Sequence, residues 1–422
     1  MTRRYAIVGL GSRAGMYVEA LAGAHRGDGE LVAFCDPNPV RMRYHQERSG
    51  LAGIGCYGPD QLLELLRVRR PDSVIVTSPD ATHDRYICAA LDRGVDAITE
   101  KPMTTDATRL RRITESAARS AAGLTVTFNY RYSPRNSLVR QLLRDGAIGR
   151  VTSVHFEWLL DTAHGADYFR RWHRDKATSG GLLVHKSTHH FDLVNWWLAD
   201  TPVTVYATGG LRFYGAENAA ARGLPARPAL GRDLPVDDPF RLDLAADPRL
   251  RALYLDAEAE DGYHRDADVF APGISIEDSL SLAVTYAGGA TMAYTLTAFA
   301  PWEGYRVAFN GTAGRLELDV VERFQVRPAG VVDPTGTVAE NESRERLTLQ
   351  QHWQPTREIP IPHGAGAHGG GDAMLLRDVF QGAGDDPLGR AAGLRDGANS
   401  VLVGIAGNVS LAERRAVTIS EL

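Results

Sequence analysis

A short β-branched run, Tyr5-Ala6-Ile7-Val8, is followed at once by Gly9-Leu10-Gly11-Ser12-Arg13-Ala14, a G-x-G-x-x-A pattern. No other feature restricts the fold as much. The first glycine permits a tight turn, and the second lets a bulky group approach the backbone. The small last residue lets a helix pack closely on its strand. The pattern requires a strand before it and a helix after it, and Arg13 to Leu21 reads as that helix. Free amides at the start of such a helix, together with its dipole, attract a pyrophosphate.

A second strand, Leu31 to Cys35, ends in Asp36. A carboxylate there accepts ribose hydroxyls and repels a 2′-phosphate, which favours NAD over NADP. Arg13 and Arg41 keep NADP open, since either cation is suited to a 2′-phosphate. The plainer reading makes the glycines an ordinary turn and Asp36 a helix cap. Strand, loop, helix and acid in this order weigh against it.

The alternation continues. Gln61 to Val68, Ile87 to Leu91 and Thr108 to Ala121 read as helices, and Ser73 to Thr77, Ala97 to Thr99 and Leu124 to Phe128 as strands. This grammar predicts an α/β domain over residues 1–128, a doubly wound parallel sheet covered on both faces. After Asn129 the pattern changes. Ser137 to Arg144 is an amphipathic helix, and Val151 to Leu159 alternates like a strand with one wet face. Further strands are expected at Ser279 to Tyr286, Thr291 to Thr297, Tyr305 to Asn310 and Gly314 to Leu318. Residues 129–422 therefore read as an α+β domain with a mostly antiparallel sheet. A Pro-, Asp-, Arg- and Ala-rich stretch at about 211–274 reads as an irregular insertion, of the kind that forms lids or interfaces. The 422 residues suit two such domains.

Net charge is −5 and scattered, so no nucleic-acid partner is expected. The densest basic cluster, Arg109, Arg111 and Arg112, reads as a solvated helix face. No apolar run approaches the ~20 residues of a membrane span, and the first strand begins almost at once without a leader. Cys35, Cys56 and Cys88 form no CxxC pair. A cytoplasmic protein is the expectation.

Further motifs follow: Thr77-Ser78-Pro79-Asp80 with His83, then Glu100-Lys101-Pro102, Asn129-Tyr130-Arg131-Tyr132-Ser133-Pro134, Gly180-Gly181-Leu182-Leu183 and Leu394-Arg395-Asp396-Gly397. With the glycine loop, this set resembles the Gfo/Idh/MocA oxidoreductases. The resemblance implies an N-terminal Rossmann domain, and a C-terminal α+β domain with a large open sheet. It implies NAD, or NADP, held by Gly9, Gly11, Ser12, Arg13, Ala14, Asp36, Thr77, Ser78, Pro79, His83, Glu100, Lys101 and Asn129. An open sheet face must be buried somewhere, which implies a homo-oligomer, dimer or tetramer.

Lys101 is the first candidate for chemistry. A lysine at a strand end can polarise a substrate hydroxyl and stabilise the alkoxide. The resemblance gives the lysine of E-K-P this part, with Glu100 to orient or pair with it. The second candidate is Gly180 to Asp192. As one helix, it would place His185 and His189 one turn apart, with Asp192 on the same face. His189 is suited to accept the hydroxyl proton, and Asp192 to fix its tautomer. In the resembling family this helix commonly reads D-x-x-x-H. His189 matches the histidine, whereas His185 stands where an aspartate is usual and Lys186 is an unusual neighbour. Two histidines and an aspartate also allow a metal reading, without the H-E-x-x-H or cysteine signals that would strengthen it.

Tyr168, Trp172 and His173, with Arg174, suit a carbohydrate face; Arg131, His185 and Lys186 join them as candidate substrate contacts. Trp196 and Trp197 read as packing. His368, in a glycine-rich turn, is a further candidate. The expected reaction is hydride transfer from a secondary alcohol of a sugar, cyclitol or glycoside to the nicotinamide. Two rivals remain: redox-neutral glycoside cleavage through transient oxidation, and a non-catalytic nucleotide-binding regulator.

Overall fold

The computed structural model describes residues 2–51, 53–326, 343–362 and 370–422. They form two compact units. The first comprises residues 1–128, 243–265 and 373–398; the second comprises 129–242, 266–372 and 399–422.

In the first unit, strands and helices alternate as β1 (Arg3–Val8), α1 (Ala14–Ala22), β2 (Gly29–Cys35), α2 (Pro39–Ser49), β3 (Gly55–Tyr57) and α3 (Leu62–Arg69). The series continues as β4 (Ser73–Val76), α4 (His83–Leu91), β5 (Asp96–Thr99), α5 (Ala107–Arg119) and β6 (Leu124–Val126). All pairings are parallel, in the order β3-β2-β1-β4-β5-β6. The order reverses between β1 and β4. Ligands of open α/β sheets bind outside the strand ends at such a reversal. Burial of Tyr5, Ile7, Tyr17, Phe34 and Ile75 builds the core. Phe380, from residues 373–398, packs edge-on against Tyr5 at 5.2 Å. Asp106 caps α5 by accepting from the Arg109 amide. Leu110 and Ile113 of that helix turn inward, while Arg111 and Arg112 stay in solvent.

The second unit begins with α6 (Pro134–Arg144), β7 (Val151–Asp161), α7 (His164–Arg170), α8 (Lys176–Ser179), α9 (Leu182–His185) and α10 (Thr188–Leu198). Its remaining strands are β8 (Pro202–Gly210), β9 (Ser279–Tyr286), β10 (Thr291–Ala300), β11 (Glu303–Gly311), β12 (Gly314–Arg323), β13 (Arg344–Gln351), β14 (Arg357–Ile359) and β15 (Val417–Thr418). Nine strands make one sheet, ordered β14-β13-β12-β11-β7-β10-β9-β8-β15. Among the described residues of this sheet only β7 and β10 pair in parallel; the other pairings are antiparallel. Strict inside–outside alternation along β9 and β10 leaves one face dry and one wet. On the dry face Phe156 meets Trp197, and Tyr294 meets Phe191, both from α10. Trp197 is thus a packing residue, its indole donating to the Asn136 carbonyl.

The stretch 211–274 is shared between the two units, so neither unit is one continuous segment. Residues 243–265 belong to the first unit and contain short helical turns at Pro248–Leu250, Arg251–Leu255 and Glu258–Asp261. Residues to either side stay with the second unit, where Arg227 joins Asp238 and Asp268 and Phe213 stacks on Phe299. Nor is Gly180 to Asp192 one helix. The chain breaks at Lys186–Ser187: the Ser187 amide bonds back to Leu182, and the count restarts with Phe191 to Ser187.

Helix α7 lies against β10 at Gly165, where an added Cβ would sit 1.7 Å from the Ala298 carbonyl oxygen. Backbone blocks this contact on both sides, so strain cannot be relieved by rotating a side chain. Gly165→Ala should therefore destabilise the protein by about 3 kcal/mol, read by urea unfolding. An unchanged midpoint would show that α7 is not seated this way.

Candidate functional site

In the first unit, the loop after β1 is pressed against the loop after β4. Gly9 has φ +85°, and a Cβ there would lie 2.4 Å from both the N and Cα of Ser78. The Thr77 hydroxyl donates to the Gly9 carbonyl, and the Ser78 and Thr82 hydroxyls meet at 2.7 Å. Pro79 opens the turn that leads into α4. Ala14 is fully buried at the start of α1, which explains the small residue there.

Asp36 is buried and holds two loops. One carboxylate oxygen accepts from the Leu10 amide at 2.6 Å, the other from the Asn38 amide at 2.8 Å. Burial pushes its pKa up, and the two amides and Arg41 pull against that rise. Asn38, not Asp36, caps α2. The Ser12 amide donates to the Tyr254 hydroxyl at 3.0 Å. This amide of the glycine loop is thus taken by a hydroxyl of residues 243–265. With no space for a side chain at Gly9 and a buried acid at the end of β2, these residues fit a dinucleotide.

The two arginines suited to a 2′-phosphate are both engaged. Arg13 donates to Glu100 at 2.6 Å, and Arg41 pairs with Asp261 at 2.7 Å. Glu100 was expected to orient Lys101; the same carboxylate oxygen accepts from Arg13 and, at 2.7 Å, from Tyr17. Lys101 is half-buried just past β5, followed by a cis bond to Pro102. His83 lies buried beneath this turn, its ring nitrogens 2.8 Å from the Pro102 carbonyl and 2.7 Å from that of Ser78. Burial favours its neutral form, which donates to one carbonyl at a time. His83 is thus a brace between two loops.

In the second unit, the candidates divide into two neighbourhoods because of the break at Lys186–Ser187. His189 stacks on Tyr130, with ring centroids 4.3 Å apart. Lys186 donates to the Tyr130 hydroxyl at 3.3 Å and lies 4.9 Å from the Trp158 ring centroid. Burial holds the Tyr130 phenol well above its usual pKa, so it remains protonated. His185 instead meets His173 edge-on at 4.1 Å, with Tyr168 and Trp172 beside it. Trp172 stacks on His173 at 3.6 Å. Asp192, expected to fix the tautomer of His189, gives both oxygens to Arg131, at 2.8 and 2.6 Å. That pair is almost fully buried, which makes Arg131 a strut. Asn129, expected at the cofactor, belongs to this second unit and donates to Asp372 at 2.6 Å. His368 lies outside the described residues. Among the described residues, no three His, Cys, Asp or Glu side chains gather to hold a metal ion.

Three residues escaped the sequence reading. His164 meets Glu303 at 2.6 Å through Nδ1 and the Tyr168 hydroxyl at 3.1 Å through Nε2. Tyr254 reaches the glycine loop from 242 positions away. Pairing at such separations leaves no local signal. Tyr130, by contrast, stood within a quoted motif, and its role as the ring beneath His189 went unread.

Burial would raise the Glu303 pKa, but the charge and hydrogen bond of His164, with Lys186 and Arg323, bring it down to about 2. A carboxylate depressed in the fold stabilises it above the unfolded pKa, and that contribution is lost as pH falls through the folded one. Glu303→Gln should cost about 3 kcal/mol at pH 7. The gap to wild type should be full above about pH 4.5 and shrink towards pH 2. Urea unfolding of both proteins across that range measures it, and a pH-independent gap would remove the ionic role.

Comparison with known proteins places the chain. Residues 3–128 match the model "Oxidoreductase family, NAD-binding Rossmann fold", and residues 140–419 match "Oxidoreductase family, C-terminal alpha/beta domain". "Putative oxidoreductase YteT" of Bacillus subtilis (strain 168) is 38% identical over 98% of this chain and 97% of its own. Inositol 2-dehydrogenase of Rhizobium meliloti (strain 1021) is 29% identical over 50% of this chain and 59% of its own. A solved structure of levoglucosan dehydrogenase with NADH and levoglucosan shares the fold, with TM-score 0.67 and 16% identity over 99% of this chain and 100% of that one.

Proposed function

Since the chain belongs to the Gfo/Idh/MocA family of oxidoreductases and carries its NAD-binding Rossmann fold, we propose that it oxidises a secondary alcohol of a sugar, cyclitol or glycoside. The observation that carries this reading is the buried group around Tyr130, where an imidazole and an ammonium share one aromatic ring. Such a set can hold a hydroxyl and take its proton while the surrounding rings offer apolar faces to a sugar. Relatives named for inositol and levoglucosan support that substrate class.

NAD, when bound, supplies the hydride acceptor. It would be held by the Gly9–Ala14 loop and Asp36, with Thr77, Ser78 and Pro79 walling the loop. Lys101 donates a hydrogen bond to the substrate oxygen and stabilises the developing alkoxide. His189 accepts the hydroxyl proton. Lys186, fixed over Tyr130 and Trp158, supplies a second donor to the polyol. His185, Tyr168, Trp172 and His173 contact the rest of the ring, and Asp192 holds Arg131.

Self-association is part of the proposal. The wet face of the nine-stranded sheet carries a shallow hollow of ≈ 680 Å³ lined by Tyr206, Ala293 and Ala308 among charged residues. No helix of the described residues is long and apolar enough to cross a membrane. Free thiols at Cys35, Cys56 and Cys88 favour a reducing, cytoplasmic setting.

The test is to incubate the protein with NAD and a panel of inositols, aldoses and glycosides, following reduced nicotinamide by absorbance. Lys101→Ala and His189→Ala should each lower kcat/KM by about 10²-fold or more. Full turnover in both variants would refute the roles given to them. Aglycone release with NAD only catalytic, and no NADH accumulating, would replace net oxidation with redox-neutral cleavage.

A further inference from the structure

Residues 243–265 lie more than a hundred positions beyond the end of β6 in the sequence, yet they are built into the nucleotide unit by side chains of the dinucleotide site itself. Asn38, next but one to Asp36, donates to the Ala257 carbonyl at 2.9 Å. Arg41 donates through Nε to the Leu253 carbonyl at 3.1 Å and pairs through Nη1 with Asp261 at 2.7 Å. Tyr254 takes the Ser12 amide. The segment therefore covers the loop and the end of β2, where adenosine ribose and pyrophosphate belong in a Rossmann domain.

Charge gives this cover a consequence. Arg41 is the cation nearest Asp36, at 3.9 Å, and it is nine-tenths buried. Its Nη2 meets no hydrogen-bond acceptor among the described residues. A guanidinium beside the ribose position would ordinarily welcome a 2′-phosphate. Here Asp261 stands against it, four-fifths buried. Two carboxylates, those of Asp36 and Asp261, already face this one guanidinium, so its charge is matched before any ligand arrives. A neutral ribose diol can meet that setting, with Asp36 accepting a hydroxyl. A dianionic phosphate meets repulsion in a site too buried for water to screen it fully. Arg265 also lies against Tyr254, at 5.6 Å from its ring centroid, and belongs to the same bracket.

We propose that Asp261 is a specificity-determining residue: by holding Arg41 it makes the site select NAD over NADP. Asp36 alone is the ordinary acid of an NAD site; Asp261 acts at second hand, through the only cation that contacts Asp36 among the described residues. The proposal rests on the reading that this unit binds a nicotinamide dinucleotide.

Binding, not turnover, tests it. NAD⁺ and NADP⁺ are titrated calorimetrically into wild type, Asp261→Asn, Asp261→Glu and the double variant Arg41→Ala/Asp261→Asn. Thermal melts check that each is folded. Asp261→Asn removes the charge while keeping shape, and should narrow the preference for NAD⁺ by about tenfold, chiefly through tighter NADP⁺ binding. Glutamate should restore the preference, and removing Arg41 should abolish the gain. A preference within twofold of wild type in Asp261→Asn, with NAD⁺ still bound, overturns the role of Asp261 alone. Failure of wild type to bind either dinucleotide would overturn the cofactor reading and this proposal with it.

Discussion

The first unit depends on one buried carboxylate. Asp36 ends β2 and accepts the amides of Leu10 and Asn38, so the loop after β1 and the turn into α2 are held by the same side chain. Desolvation works against an ionised acid there, and only the backbone donors and Arg41 make the charge tolerable. Those donors are fixed in turn by what surrounds them. Gly9 can approach the Ser78 backbone only because it lacks a side chain. Asn38 and Arg41 then reach across to residues 253–261, Asn38 through its amide and Arg41 through Nε and Nη1. The acid that ends β2 thus organises the glycine loop as well as its own turn.

In the second unit, buried ion pairs do the comparable work. Arg131–Asp192 lies at 2%/1% side-chain exposure, where desolvation offsets most of the Coulombic gain. Such a pair contributes little net stability but fixes geometry: it ties the segment carrying Tyr130 to α10, which carries His189. Glu303 and His164 do the same between β11 and α7, orienting Tyr168. Arg323 joins Asp161 to Glu303 and keeps two neighbouring acids from facing each other unscreened.

How much of this was legible follows from the range of each interaction. The parallel sheet was readable because strand and helix periodicities are local, and the glycine loop because its requirements fall within six adjacent positions. Alternation also marked β7 and β9 to β12. The helix break was not readable. Gly180 to Asp192 keeps an uninterrupted helical pattern of side chains, and what ends α9 is a backbone bond from Ser187 to Leu182. Nor could spacing show that Asp192 faces Arg131, 61 positions earlier, or that a Pro- and Asp-rich stretch would return to the nucleotide unit. Composition marked 211–274 as an irregular insertion, but composition carries no information about which core a segment joins.

The break at Lys186 also changes what the chemistry of the segment can be. In one unbroken helix, His185 and His189 would stack along one face and compete for the same proton or the same metal. Broken, the segment gives each histidine a different partner: His185 the edge of His173, His189 the face of Tyr130. Stacking on the Tyr130 phenol sets the plane of the His189 ring. Lys186, at the break itself, is swung onto Tyr130 and Trp158 rather than continuing along the helix face. The residue that departs most from the expected motif, His185, therefore sits with the aromatic group around Tyr168. The residue that matches it, His189, stacks on Tyr130, which also receives the Lys186 ammonium. The break thereby gives one short segment two histidines in two separate aromatic settings.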